Sequence, residues 1–337
     1  MNGVRIRRPL AYLGLGCLLA LLSLSLPVSP SPHGGFGTDL RVARGPSVAP
    51  GAGRTAPPPP PPAPCDHIQD SLRPDGPLPA PGAMPAGSTM AAIVARGRLI
   101  AGVDQGNYLA SYRDPATGNL AGSDIDLVHQ IAAALFGDPS KVQFVAMRVE
   151  DRAAALRRHQ VDLVADVYTV TCARQRDVAF STDYLQVSQR LLVPASSPAR
   201  EVADLAGQPV CTSRGSTPED VLHRLGVTVA PQQGIAECMV ELQRGRVAAI
   251  SSDDVLLAGM AAQDPTTRVV GRTLDTARYA VGMNPQATDL VRFVNGVLER
   301  GRADGSLAAS DQRWFGNSLN PVPQPPPARY QDQPPAS

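Results

Sequence analysis

Short apolar strands alternate with helices through the middle of the chain, and this alternation constrains the fold more than any other feature. The first predicted strands lie at residues 98–103, 142–146 and 161–165. A second alternating unit has its predicted strands at residues 208–212, 227–230 and 247–251. Strands that alternate with helices are typical of βαβ units and parallel sheets. The sequence therefore predicts an α/β fold built from two successive units.

Polar residues follow the strands of both units. Residues 169–174 come after the third predicted strand, and Asp253 comes after the last one. Ligands of open α/β sheets bind at the carboxyl ends of the strands. An arginine holds a planar carboxylate through two parallel hydrogen bonds, and an aspartate complements an ammonium group. Arg174 and Asp253 are therefore predicted to bind the two ends of a free amino acid.

The segment around Ser216 and Thr217 is predicted to begin a helix, with Thr217 as its N-cap and Pro218 at the first helical position. Free backbone N–H groups at such a start can bind an anion. A purely structural alternative stays open for each candidate. Ser216 and Thr217 could only cap the helix, Arg174 could be a surface arginine, and Asp253 could cap the next helix.

Composition excludes some classes of function. The 337 residues carry 31 basic and 30 acidic side chains, for a net charge of +1, and only 4% are aromatic. Nucleic-acid binding needs clustered positive charge or stacking aromatic side chains, so no nucleic-acid partner is predicted. With 43% apolar residues the chain can build one large core or two medium ones.

Both ends of the chain differ from its middle. Arg5, Arg7 and Arg8 precede an uncharged, leucine-rich run, so residues 1–30 are predicted to be a signal peptide or a signal anchor. Lipidation of Cys17 is a less favoured alternative, because the apolar run continues beyond it. We expect an exported chain on the periplasmic side of the cell envelope, either membrane-anchored or secreted.

Proline-rich segments flank the predicted globule. Residues 31–87 contain six consecutive prolines and are predicted to be a linker, and residues 319–337 to be a loosely attached tail. Such segments bury little apolar surface, so we expect no packed structure in either.

Four cysteines remain after Cys17, and an even number in an exported chain favours two disulfides. Three pairings are possible. A helix that carries Cys238 and packs on the strand that carries Cys211 would bring this pair within reach. A bond between Cys65 and Cys172 would then hold the start of the globule near the cleft. The spacing does not match a zinc site, so neither a metal nor a cofactor is predicted.

Six motifs occur in an order that resembles family 3 of the bacterial extracellular solute-binding proteins. They lie at residues 98–104, 122–127, 169–174, 180–184, 214–217 and 253–254. The resemblance runs from about Ala91 to Gly316. Within the family, residues 113–115, 256–259 and 291–296 are similar to the mycobacterial-type glutamine/glutamate-binding branch.

The resemblance implies a two-lobed, periplasmic-binding-protein-like fold of type II, with a hinge of two crossover segments. Lobe 1 would consist of residues 88–192 and 281–318, and lobe 2 of residues 193–280. It also implies that Arg174 holds the ligand's α-carboxylate, with help from Thr169 and Thr217, while Asp253 holds the α-ammonium group.

Further site residues are implied by the same resemblance. Asp104 and the segment Asn107–Tyr108 would line lobe 1, and Arg152 or Arg214 would contact the ligand's side chain. Two positions depart from the family pattern. Ser123 replaces an aromatic residue that stacks on the ligand, and Asp166 adds a carboxylate to the mouth of the site. Asp166 would favour a cationic or amide ligand, unless it pairs with a neighbouring arginine.

The sequence therefore predicts a monomeric, non-enzymatic receptor for a free polar amino acid. Glutamate, glutamine and aspartate are the favoured ligands. It would close on its ligand and act with an ABC permease or a membrane sensor protein. Two rival hypotheses remain open. One is a periplasmic dehydratase that uses Asp166 as its acid, and the other is an interaction module that has lost its ligand, as Ser123 suggests.

Overall fold

The computed structural model of the protein describes residues 70–332. Its helices are α1 (Thr89–Arg96), α2 (Ser123–Phe136), α3 (Arg152–Arg157), α4 (Cys172–Gln175), α5 (Thr217–Arg224), α6 (Ile235–Gln243), α7 (Asp254–Gln263), α8 (Thr288–Ala303) and α9 (Ser306–Phe315). Its strands are β1 (Leu99–Val103), β2 (Gly106–Asn107), β3 (Ser111–Arg113), β4 (Leu120–Ala121), β5 (Val142–Ala146), β6 (Leu163–Val164), β7 (Ala179–Phe180), β8 (Leu185–Pro194), β9 (Val210–Ser213), β10 (Val229–Gln232), β11 (Ala249–Asp253), β12 (Thr267–Tyr279) and β13 (Gly282–Met283).

Lobe 1 is built around a five-stranded sheet with the order β5-β1-β6-β13-β7. Strand β1 pairs in parallel with β5 and β6, whereas β13 runs antiparallel to β6 and β7. Leu99, Ala101 and Val103 on β1 are fully buried because helices cover the sheet. This continuous apolar run is what the alternation of strands and helices predicted.

Lobe 2 contains the other five-stranded sheet, with the order β10-β9-β11-β8-β12. Strand β9 is parallel to β10 and β11, and β8 is antiparallel to β11 and β12. A disulfide joins Cys211 on β9 to Cys238 on α6, with a Cα–Cα distance of 5.5 Å. Cys172 is also disulfide-bonded. Cys65 lies outside the described residues, so the predicted Cys65–Cys172 pairing stays a prediction.

Two adjacent crossovers, at residues 181–184 and 279–281, connect the lobes. Backbone N–H groups of Ser181 and Tyr184 donate to the carbonyl oxygens of Val281 and Tyr279, at 2.9 and 2.8 Å. The predicted two-lobed α/β fold of type II is thus confirmed. The predicted boundary between residues 192 and 193 lies too late, because all of β8, from Leu185 onward, pairs with β11 and β12 in lobe 2.

The described parts of the two proline-rich segments are packed on lobe 1, contrary to the expectation of a free linker and a loose tail. Ser71 forms a β-bridge with Tyr330, which is only 3% exposed. The Tyr330 hydroxyl donates to Glu299 at 2.5 Å. Leu78 and Val322 pack against the core of lobe 1. A few apolar and aromatic side chains between the prolines therefore attach these segments to lobe 1, which the proline-rich composition does not predict.

Residues 1–69 and 333–337 lie outside the described part of the chain, and with them the predicted signal segment, Cys17 and most of the predicted linker. Within residues 70–332, none of the helices has the length and hydropathy needed to cross a membrane.

Asn295 on α8 links the N-terminal flank to the first crossover, and its loss is expected to destabilise the protein. Its Oδ1 accepts from the Thr182 N–H at 2.7 Å, and its Nδ2 donates to Ser71 Oγ and the Leu72 carbonyl. Asn295→Ala leaves buried polar groups without partners, so we expect a loss of about 3 kcal/mol of unfolding free energy. Denaturant melts test this. Asn119→Ala, at an exposed loop position, is the control and should change stability by less than about 0.5 kcal/mol.

Candidate functional site

A cavity lies between the lobes, where the carboxyl ends of strands from both sheets face each other. From lobe 1 it is lined by Asp104, Asn107, Arg152, Asp166, Thr169 and Arg174, among others. From lobe 2 it is lined by Ser213, Ser216, Thr217, Ser252 and Asp253, among others. Most of the predicted site residues are among these, so the structure brings them together in one place.

Arg174 lies in the short helix α4, whose N-cap Thr171 accepts from the Arg174 backbone N–H at 3.2 Å. Its guanidinium donates to the Thr169 carbonyl at 2.8 Å and, across the cleft, to the Gly215 carbonyl of lobe 2 at 3.2 Å. Burial lowers the pKa of Arg174 to about 10, and the neighbouring charge of Arg152 contributes. The group is still protonated at neutral pH, so it places a positive charge in the cavity.

Asp253 ends β11 and precedes α7. Its side chain makes no capping hydrogen bond to that helix, so capping does not explain the residue. One carboxylate oxygen accepts from the Tyr279 hydroxyl at 2.6 Å. Burial raises the pKa of Asp253 to about 6, although the Tyr279 hydrogen bond and the charge of Arg174 oppose the rise. Above that pH the cavity therefore contains a buried carboxylate, which suits a cationic group.

Ser216, and not Thr217, is the N-cap of α5, which corrects the predicted start of this helix. The Ser216 hydroxyl accepts from the Glu219 N–H at 3.3 Å, and Thr217 and Pro218 are the first two helical residues. Both residues 216 and 217 still line the cavity. The Thr217 hydroxyl lies 3.5 Å from that of Thr169, so the two lobes also approach each other here.

Arg152 and Asp166 form a buried pair at the cavity wall, with side chains that are 3% and 2% exposed. Arg152 Nη1 lies 3.7 Å from the Asp166 carboxylate and donates to the Asp166 carbonyl at 2.6 Å. The guanidinium also stacks on the Tyr168 ring at 4.5 Å. Burial raises the pKa of Asp166 well above its ordinary value, and the charge of Arg152 opposes this. Asp166 therefore pairs with a neighbouring arginine, which was one of the two alternatives.

The sequence profile of the bacterial extracellular solute-binding proteins, family 3, matches residues 99–317. These residues span both sheets, both crossovers and the cavity. The chain belongs to this family. The resemblance on which the fold prediction depended is thereby confirmed.

Relatives of this solute-binding protein include amino-acid-binding proteins. The glutamine-binding protein of Geobacillus stearothermophilus is 33% identical over 198 residues, which cover 58% of this chain and 76% of that protein. GlnH, the ABC transporter glutamine-binding protein of Bacillus subtilis, is 27% identical over 230 residues, which cover 67% and 84%. These matches confirm the predicted similarity to glutamine-binding proteins.

Solved structures share the fold as well. An ancestral arginine-binding protein bound to glutamine matches with a TM-score of 0.61 at 29% identity, over 66% of this chain and 99% of that one. The L-cysteine receptor of Neisseria gonorrhoeae matches with a TM-score of 0.64 at 27% identity, over 70% and 95%. Relatives with this fold thus take different amino acids.

Three predicted positions of the solute-binding protein lie outside the cavity lining. Of the predicted segment Asn107–Tyr108, Asn107 lines the cavity, whereas Tyr108 packs edge-on against Tyr112 with 4.7 Å between the ring centroids. Arg214 is exposed, and its guanidinium donates to the Pro231 carbonyl at 3.4 Å, as expected for a solvated loop arginine. Ser123 is buried at the start of α2 and does not reach the cavity.

Asp124 supports the site and was missed as a functional residue. Its carboxylate accepts from the Val167 N–H at 2.8 Å and from the Tyr184 hydroxyl at 2.7 Å. Val167 has a φ of 42°, which is strained for a β-branched residue, and it joins Asp166 to the rest of the cavity wall. Acidic residues in the first helical turn are common. Only the contacts of Asp124 with Val167 and Tyr184, which are distant in the sequence, reveal this role.

Metal binding has no support in the described part of the chain. Among residues 70–332, no group of three or more His, Cys, Asp or Glu side chains is placed to hold an ion. The cavity offers fixed charges of both signs, which suit a zwitterion.

Proposed function

We propose that this solute-binding protein is an exported receptor for a free polar amino acid. One observation carries the proposal: Arg174 of lobe 1 and Asp253 of lobe 2 line the same cavity between the lobes. Arg174 would hold the α-carboxylate, with the hydroxyl and backbone groups of Thr169 and Thr217, and Asp253 would hold the α-ammonium group. Buried charges need partners, and a zwitterion supplies one at each end.

The ligand's side chain is proposed to be that of glutamate, glutamine or aspartate. Arg152 supports this choice, because its Nη2 has no hydrogen-bond acceptor among residues 70–332 while the residue lines the cavity. A carboxylate or amide oxygen would complete it. Asp166 is occupied by Arg152, so its carboxylate does not require a basic ligand. Asp104 lines the same cavity and would contact the ligand from lobe 1.

The lobes are proposed to close on the ligand and to report closure at the membrane. Binding energy shared by two lobes drives hinge closure in proteins of this architecture. The bond from Arg174 to the Gly215 carbonyl already spans the cleft. An ABC permease or a membrane sensor would be the partner, and residues 1–30 would direct a monomeric chain to the envelope.

Isothermal titration of the chain with the twenty common amino acids tests the proposal. We expect micromolar binding of glutamate, glutamine or aspartate. Binding of none would contradict the receptor function and favour the ligand-less module. The dehydratase hypothesis predicts turnover of prephenate or arogenate that Asp166→Asn removes. The pairing of Asp166 with Arg152 gives us reason to expect no turnover.

Amino-acid affinity is expected to fall below pH 6. Asp253 must be ionised to hold an ammonium group, and its pKa in the ligand-free protein is raised to about 6 by burial. Protonation therefore competes with the ligand, and affinity at pH 5 should be about tenfold lower than at pH 7.5. Tyr279, Asp254, Asp275 and Arg174 set this pKa. Titrations at both pH values check the ratio, and Asp253→Asn should abolish it.

A further inference from the structure

A second cavity adjoins the binding cleft on the side of the crossovers, and we call it the hinge-side cavity. It has a volume of about 510 Å³ and is lined by Thr169, Gln189, Thr217, Asp253, Thr276 and Arg278, among others. This volume lies in the range of small-molecule sites. Thr169, Thr217 and Asp253 line the cleft as well. Between the two spaces, the Thr169 and Thr217 hydroxyls are 3.5 Å apart, which is a weak contact.

Two buried side chains that line the hinge-side cavity each carry an acceptor oxygen that has no donor among the described residues. Gln189 is 2% exposed, and its Nε2 donates to the Pro218 carbonyl at 3.3 Å and to Ser251 Oγ at 2.9 Å. A carbonyl only accepts, so this contact fixes the amide and leaves Oε1 as the free acceptor. Asp253 uses only one carboxylate oxygen, toward Tyr279. No donor among residues 70–332 reaches the remaining oxygen of either side chain, and neither oxygen is fully enclosed by protein.

The charges around the hinge-side cavity favour a donor over an anion. The guanidinium of Arg278, which lines this cavity, lies 3.4 Å from the Asp183 carboxylate and is therefore already paired. Asp275, at the rim, lies 3.3 Å from the Arg224 guanidinium and is therefore paired as well. An ammonium group suits the amide oxygen of Gln189 and the carboxylate of Asp253, whereas a carboxylate would meet no free cation among the described lining residues.

We propose that the hinge-side cavity is a subsite for a residue linked to the ligand's α-nitrogen, so that this receptor also takes dipeptides. The inference rests on the proposed function, which places that nitrogen at Asp253, the residue common to both cavities. The peptide N–H of such a ligand keeps one hydrogen bond to Asp253. The free ammonium group of the added residue then lies in the hinge-side cavity and donates to Gln189 Oε1.

Two isomeric dipeptides test the subsite in titrations of the full chain. Glycyl-L-glutamine should bind within about tenfold of L-glutamine. L-Glutaminyl-glycine has the same atoms, but its extension meets Arg174, so it should not bind at millimolar concentration. Glycyl-L-glutamate and L-glutamyl-glycine form the matching acidic pair. If the amino acid binds and its glycyl derivative does not, or if both isomers bind equally, the subsite is overturned while the receptor function stands. If no amino acid binds, the receptor function itself fails.

Variants of the lining separate the subsite from the cleft. Thr276→Trp fills the hinge-side cavity from an exposed position and should weaken glycyl-L-glutamine at least about tenfold, with L-glutamine changed less than about twofold. Gln189→Leu removes the acceptor for the ammonium group and should weaken the dipeptide by about tenfold. Gln186→Leu, exposed on the same strand β8, is the control. Equal dipeptide affinity in all three variants would overturn the subsite.

Discussion

Replacing Arg174 with methionine is expected to weaken amino-acid binding by about 1,000-fold. Removal of one member of a buried, hydrogen-bonded charge pair costs roughly 2–5 kcal/mol, because the other charge is left without a partner. In the proposed complex that charge is the ligand's α-carboxylate. Titration calorimetry with L-glutamate and L-glutamine measures the loss.

The melting temperature of Arg174→Met distinguishes a loss of binding from a loss of folding. Burial already lowers the pKa of Arg174 to about 10, so the ligand-free protein gains little from the charge, and Arg174→Met should melt at or above the wild-type temperature. Arg176→Met, at an exposed position two residues later, is the matched control and should bind like the wild type. Full affinity of Arg174→Met would contradict the assignment of the α-carboxylate.

Replacing Asp253 with asparagine is expected to weaken binding by about 100-fold. Asparagine keeps the size of the side chain and an acceptor for the Tyr279 hydroxyl, but it removes the negative charge that would hold the α-ammonium group. Loss of a desolvated ionic partner costs about 3 kcal/mol. Affinities for the same two amino acids, measured at pH 7.5, give the ratio.

Asp253→Asn should also stabilise the ligand-free protein. The pKa of Asp253 is raised to about 6 from an unfolded value near 4, so its ionisation above pH 6 disfavours the folded state. The melting temperature at pH 7.5 should therefore rise, and the gain should fade toward pH 4. Asp264→Asn, at the other end of α7, is the contrasting variant: hydrogen bonds from Gln243 and Thr266 lower the pKa of Asp264, so its replacement should not raise the melting temperature. Unchanged affinity in Asp253→Asn would mean that another group holds the ammonium.

The fold and most of the cavity lining were predictable because they depend on local rules. Strands that alternate with helices specify the two sheets, and polar residues that follow strands, such as Thr169, Arg174 and Asp253, meet at one edge of those sheets. The resemblance to the family added the order of the lobes. It also identified Arg152, which only a three-dimensional contact links to Asp166.

Other features were not predictable because they depend on contacts between distant residues. Asn107 rather than Tyr108 of the predicted segment lines the cavity, and residue type alone does not specify which of two neighbouring side chains does so. In the sequence, Asp124 resembles an ordinary acidic residue at a helix start. Its role depends on the hydrogen bonds that Val167 and Tyr184 donate to its carboxylate. The docked Tyr330 donates a hydrogen bond to Glu299, 31 residues away in the sequence, and local composition does not reveal such a contact.

A crystal structure of the chain with its best-binding amino acid tests the central claim most directly. The account predicts the α-carboxylate within hydrogen-bond distance of the Arg174 guanidinium and the α-ammonium group within hydrogen-bond distance of the Asp253 carboxylate, in the cavity between the lobes. An amino acid bound elsewhere, or bound there with these two contacts replaced by other residues, would contradict it.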